Sequence, residues 1–114
     1  MNFDFFKLSF AVYCGLILYL SIIPLTLPEI PQFDPKRLLY HFAEFFLFGF
    51  LAFKSFKNLK VVIGLGSLFA VITEILQIFV PYRYFDFFDL GANFLGILIF
   101  SFFTQIQFFQ KLKL

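Results

Sequence analysis

Four stretches of the chain run almost without charge, at residues 8–25, 38–53, 61–80 and 87–109, and charged residues or prolines separate them. An α-helix rises ~1.5 Å per residue and needs about 20 predominantly apolar residues to cross the hydrocarbon core of a bilayer. The first, third and fourth stretches meet that length, and the second is short for a span. Few residues separate one stretch from the next, so neighbouring helices are expected to lie antiparallel in a small bundle. The first stretch follows Lys7 as the apolar part of a secretory leader would. It continues into SIIPLTLPEIP with no small-x-small cleavage pattern, and is expected to stay as a permanent helix. No internal repeat or low-complexity tract appears.

The polar residues inside these runs follow helical spacing. His41 and Glu44 are three apart, as are Glu74 and Gln77, while Asp89 and Asn93 are four apart, so each pair shares one helical face. Drawing four helices puts Lys7, Lys54, Lys57, Lys60, Lys111 and Lys113 on one side, six of the nine basic residues. Lys36, Arg37 and Arg83 fall on the other, offset by Glu29, Asp34, Asp86 and Asp89. Short loops rich in Lys and Arg stay on the cytoplasmic side, so both termini are expected in the cytoplasm. Tyr82 and Tyr84 then flank the outer boundary, where amphipathic rings are favoured. All three polar stripes are expected in the outer half of the bundle. A charged side chain facing lipid at a helix centre costs about 2.5–3.5 kcal/mol, so the stripes should face one another. Polar residues that merely hold helices together contribute about 0.6 kcal/mol per contact and have no reason to gather at one depth.

Composition changes the picture only by excluding alternatives. With 114 residues, 61% hydrophobic and 14% charged, a water-soluble fold would expose more apolar surface than its polar residues could cover. The expected fold is all-α: one integral membrane domain over residues 1–114, a bundle of four transmembrane helices. A net charge of +2 gives no footing for nucleic acid, and the single cysteine, Cys14, allows no disulfide framework or zinc site.

The blocks HFAEFFLFG and TEILQIFVPYRYFDFFDLGANFLG resemble the VanZ-like family, small integral membrane proteins named for a teicoplanin-resistance protein. The resemblance runs from residue 22 to residue 96. It rests on His41, Glu44 and Gly49 in the first block and on Glu74, Gln77, Pro81, Arg83, Asp86, Asp89, Asn93 and Gly96 in the second. Tyr82 stands where the family usually has glycine. Leu38 stands where a lysine is frequent, a role expected to pass to Lys36 or Arg37. The resemblance implies a multi-pass protein of a bacterial inner or plasma membrane, linked to reduced susceptibility to glycopeptide antibiotics, teicoplanin above all.

The residues themselves point to an outward-facing pocket lined by aromatic side chains, with His41, Glu44, Glu74, Gln77, Arg83, Asp86, Asp89 and Asn93 as its binding groups. Membrane lipids or a lipid-linked cell-wall intermediate are the expected ligands. Arg83 is the candidate for a phosphate, because its planar fork can hold two oxygens, with Asp86 as a competing partner. An intramembrane enzyme is the first alternative: His41 with Glu44, Glu74 and Asp89 as acid and base, or as ligands of a divalent metal. No dense ligand motif supports it, no serine is expected near His41 at the same level, and no catalytic residue, metal or cofactor is assigned. A structural membrane partner is the second. It would require a small-residue stripe, of which Gly64 and Gly66 give a weak version.

Overall fold

In a computed structural model of the chain, residues 4–23, 35–81 and 83–112 are described. They form four helices: α1 (Phe5–Ile22), α2 (Pro35–Phe56), α3 (Leu59–Ile78) and α4 (Phe87–Leu112). Each is long and apolar enough to cross a membrane.

Local chemistry explains where the helices begin and end. Asp4 caps α1 by accepting the Lys7 N–H at 3.1 Å. The helix stops at Ile22 because Ile23 (φ −67°, ψ 126°) precedes Pro24, whose ring disfavours helical backbone in the residue before it. The expected end at residue 25 therefore falls too late, and residues 24 and 25 lie outside the described set. Pro35 occupies the first turn of α2, where its missing N–H costs nothing. At the other end Lys57 turns left-handed (φ 54°) and donates its N–H to the Phe53 carbonyl at 2.7 Å, closing the helix. The expected short second span is thus extended by about a turn at each end. Asn58 caps α3 through the Lys60 N–H at 2.9 Å, and Asp86 caps α4 through the Phe88 N–H at 2.8 Å. Glu29, Asp34, Tyr82 and Lys113, which entered the orientation argument, lie outside the described residues.

Contacts fix the relative directions. Tyr13 meets Glu44 and Phe10 meets Phe48, so α1 and α2 are antiparallel. Arg37 meets Asp86, His41 meets Asn93 and Gly49 meets Phe100, so α2 and α4 run parallel and form the most extensive contact of the bundle. Gly96 makes that contact possible: a Cβ there would stand 2.5 Å from the Phe42 carbonyl oxygen and 2.9 Å from the Phe46 nitrogen. The starts of α2 and α4 and the ends of α1 and α3 consequently share one end of the bundle.

The core inverts the pattern of a water-soluble protein. Phe45, Phe48, Ile17, Ile97 and Val62 are buried together, yet so are Ser21, Ser55, Thr73, Glu74, Gln77, Asp86, Asp89, Asn93 and Ser101. Leu8, Val12, Leu16, Tyr19, Leu95, Leu98 and many phenylalanines face outward. Buried polar groups inside a shell of exposed aliphatic and aromatic side chains suit a hydrocarbon solvent. The buried hydroxyls satisfy themselves within their own helices: Ser21, Ser55 and Ser101 each donate to the carbonyl four residues back at 2.8–2.9 Å.

Candidate functional site

The polar stripes of α2, α3 and α4 meet at the end shared by the starts of α2 and α4. Counting from Pro35, His41 lies about 9 Å and Glu44 about 14 Å along α2. Asp86 and Asp89 open α4, and Glu74 and Gln77 close α3. The groups divide into two connected parts.

The first part is a knot of charge between α2 and α4. Arg37 donates Nη2–H to Asp86 Oδ2 at 2.7 Å and Nε–H to Asp89 Oδ1 at 2.9 Å, so one guanidinium bridges two carboxylates. His41 continues the chain of contacts. Its Nδ1 shares a hydrogen bond with Asn93 Oδ1 at 3.0 Å, and its Nε2 lies 3.4 Å from Asp89 Oδ2. Glu74, fully buried, reaches across from α3 and accepts the Asp86 N–H at 3.1 Å. Asp86 is therefore held three ways: its side chain caps α4 and pairs with Arg37, and its backbone is tied to α3. Charges withdrawn from water are tolerated only with partners of this kind.

The second part is a cavity of about 210 Å³ between α1, α2 and α3, with Arg83 from the α3–α4 connection. His41, Glu44, Thr73, Gln77 and Arg83 line it, joined by Ile17, Leu20, Ser21 and Ile23 at the end of α1. Arg83 Nε–H donates to the Ile23 carbonyl at 3.0 Å, one of the carbonyls that a helix end leaves without an intrahelical donor. Tyr13, one turn before Ile17, donates its hydroxyl to the Glu44 backbone carbonyl at 2.6 Å and ties α1 to α2. His41 belongs to both parts, with its ring nitrogens in the knot and its ring in the cavity wall.

The chain matches the family model described as VanZ/LLP1 over residues 10–108. It belongs to the VanZ/LLP1 family. No curated protein and no solved structure matches it. Most of the chain lies within the match, so in this VanZ/LLP1 protein the knot and the cavity are both built from residues of the family domain.

Of the eight residues expected in the site, His41, Glu44, Gln77 and Arg83 line the cavity. Glu74, Asp86, Asp89 and Asn93 stand behind His41 or between helices instead. Asp86, the competing partner considered for Arg83, pairs with Arg37 instead. Arg37 shares the face of His41, four residues on, and points at the start of α4, whereas Arg83 turns to the end of α1. Two other expectations are corrected. Among the described residues no phenylalanine or tyrosine lines the cavity, because the described rings pack in the middle of the bundle (Phe10, Phe45, Phe48) or face outward. Ser21 does reach the level of His41, because α1 ends beside the start of α2, although its hydroxyl proton goes to the Ile17 carbonyl. Thr73, Ser21 and the end of α1 were missed altogether as parts of a site. The only signal for them in the sequence is a serine three residues before Pro24 and a threonine beside Glu74. Among the described residues, no three His, Cys, Asp or Glu side chains cluster in a way that could hold a metal ion.

Proposed function

We propose that this VanZ/LLP1 protein binds the headgroup of an envelope lipid, or of a lipid-linked cell-wall intermediate, in the cavity between α1, α2 and α3. In this reading the cavity end faces the outer leaflet, both termini are cytoplasmic, and occupancy lowers susceptibility to teicoplanin by changing how the antibiotic or its lipid-linked target is presented.

One observation carries the reading. Charged and hydrogen-bonding side chains, costly to bring into a bilayer, surround an open volume rather than only each other. A bundle that used polar groups solely as adhesive would stop at the knot, which already joins α2, α3 and α4. Among the described residues, Glu44 makes no hydrogen bond within the knot, and Arg83 bonds to the end of α1 instead. The lipid-facing shell places acyl chains beside the cavity walls, so a lipid can enter with its headgroup at the polar level and its chains along the bundle.

The test separates the two parts. Glu44→Gln and Arg83→Gln alter the cavity, whereas Asp89→Asn weakens the knot. The cavity variants are expected to reach the membrane at near wild-type abundance and to lose protection against teicoplanin in a sensitised host. Asp89→Asn is expected to lose abundance. Undiminished protection by both cavity variants would overturn the reading.

A further inference from the structure

We infer that the cavity recognises a phosphate ester carrying a primary ammonium group, the chemistry of a phosphoethanolamine headgroup. The inference rests on the headgroup reading above and names the ligand class. Arg83 and Glu44 line this one small volume without pairing with each other. Arg83 spends only its Nε–H on the Ile23 carbonyl. Among the described residues, neither its terminal nitrogens nor the Glu44 carboxylate make a hydrogen bond or an ion pair. A bound molecule that brings an anion and a cation together satisfies both. The Arg83 fork matches phosphate oxygens, and Glu44 takes the cation.

The remaining wall decides what kind of cation. Ser21 gives its hydroxyl proton to Ile17 and Thr73 gives its own to Ala70 at 3.1 Å, so both hydroxyl oxygens offer the cavity only lone pairs. With the Glu44 carboxyl, they make this part of the wall rich in acceptors. An ammonium group brings three donors to such a wall, and a trimethylammonium brings none. Quaternary ammonium recognition relies on aromatic faces, and among the described residues no phenylalanine or tyrosine lines this cavity. The wall therefore selects for a primary amine and against its methylated counterpart. A headgroup with phosphate and hydroxyls alone satisfies Arg83 and leaves Glu44 without a cation.

The experiment measures binding to the full chain purified in mild detergent, by calorimetric titration with dihexanoyl phosphatidylethanolamine, phosphatidylcholine and phosphatidylglycerol, and with water-soluble phosphoethanolamine. The ethanolamine lipid is expected to bind about tenfold more tightly than either of the others, the effect of one added charge-assisted contact. Glu44→Gln is expected to erase that preference, and Arg83→Gln to weaken all three lipids. Binding of soluble phosphoethanolamine with the same dependence on Glu44 would support the chemistry and assign it to a free ligand; binding of the lipid form alone would assign it to the membrane. Equal binding of all three lipids, weakened by Arg83→Gln, would overturn amine recognition and leave the headgroup cavity standing. Lipid binding indifferent to both variants would overturn both. The comparison of lipids on the wild-type chain decides the matter even if a variant fails to fold.

Discussion

Replacing Arg37 by methionine keeps most of the side-chain volume and removes the one cation that bridges Asp86 and Asp89. The two bonds are short, 2.7 and 2.9 Å, and the side chains of Arg37, Asp86 and Asp89 are 18%, 9% and 3% exposed, so water cannot take over the lost contacts. Removing one partner of a buried pair costs about 3–5 kcal/mol, because the charge left behind has been desolvated without compensation. Here two carboxylates are left, with the Glu74 carboxylate nearby on the Asp86 backbone, so the upper part of that range applies. For a domain of this size the loss lowers the melting temperature by on the order of ten degrees or more. Cys14 gives a built-in reporter: it is the only cysteine and packs half-buried against the core, so a thiol-reactive fluorophore labels it as the bundle opens. Adding Asp86→Asn and Asp89→Asn to the methionine variant should recover most of the loss, since no unpaired charge remains and asparagine still caps α4. If Arg37→Met melts with the wild type, or the triple variant is no more stable than the single one, the bridging role assigned to Arg37 is wrong.

Gly96→Ala places a methyl group against the backbone of α2, which cannot swing aside, and should cost about 1–3 kcal/mol or more and lower membrane abundance. Gly15→Ala, where nothing stands within 4 Å of the added carbon, serves as the matched control and should behave as wild type. For orientation, a reporter fused after Leu114 should read as cytoplasmic, and a cysteine at the exposed Tyr84 should react with a membrane-impermeant reagent added outside the cell. The opposite labelling pattern would invert the bundle and place the cavity at the inner leaflet.

The number of helices, the one level at which His41, Glu44, Glu74, Asp89 and Asn93 sit, and the inward facing of those groups were all legible from spacing and cost. Two kinds of detail were not. Hydropathy truncates α2 at its charged ends, but a helix continues through charges that have somewhere to go. Lys54 lays its ammonium over the rings of Phe6 and Phe50 at 5.9 and 5.7 Å, and Arg37 turns to the acidic start of α4. The choice of Arg37 over Lys36 follows from helical phase, since only Arg37 lies four residues from His41 on the same face. Which wall of the cavity each group occupies depended on α1, whose sequence carries no charge between Lys7 and Glu29. A carbonyl before Pro24 and a serine bonded to its own helix leave no pattern in composition. Their position became informative only once the end of α1 lay against Arg83 and Glu44.

The central claim is that the polar end of the bundle encloses a headgroup rather than only cementing helices. Native mass spectrometry of the protein released from membranes in mild detergent tests it directly. The account predicts one phospholipid retained per chain and its loss when Glu44→Gln and Arg83→Gln are combined in a protein that stays folded. A wild-type chain that carries no lipid, or a double variant that retains it equally well, would contradict it.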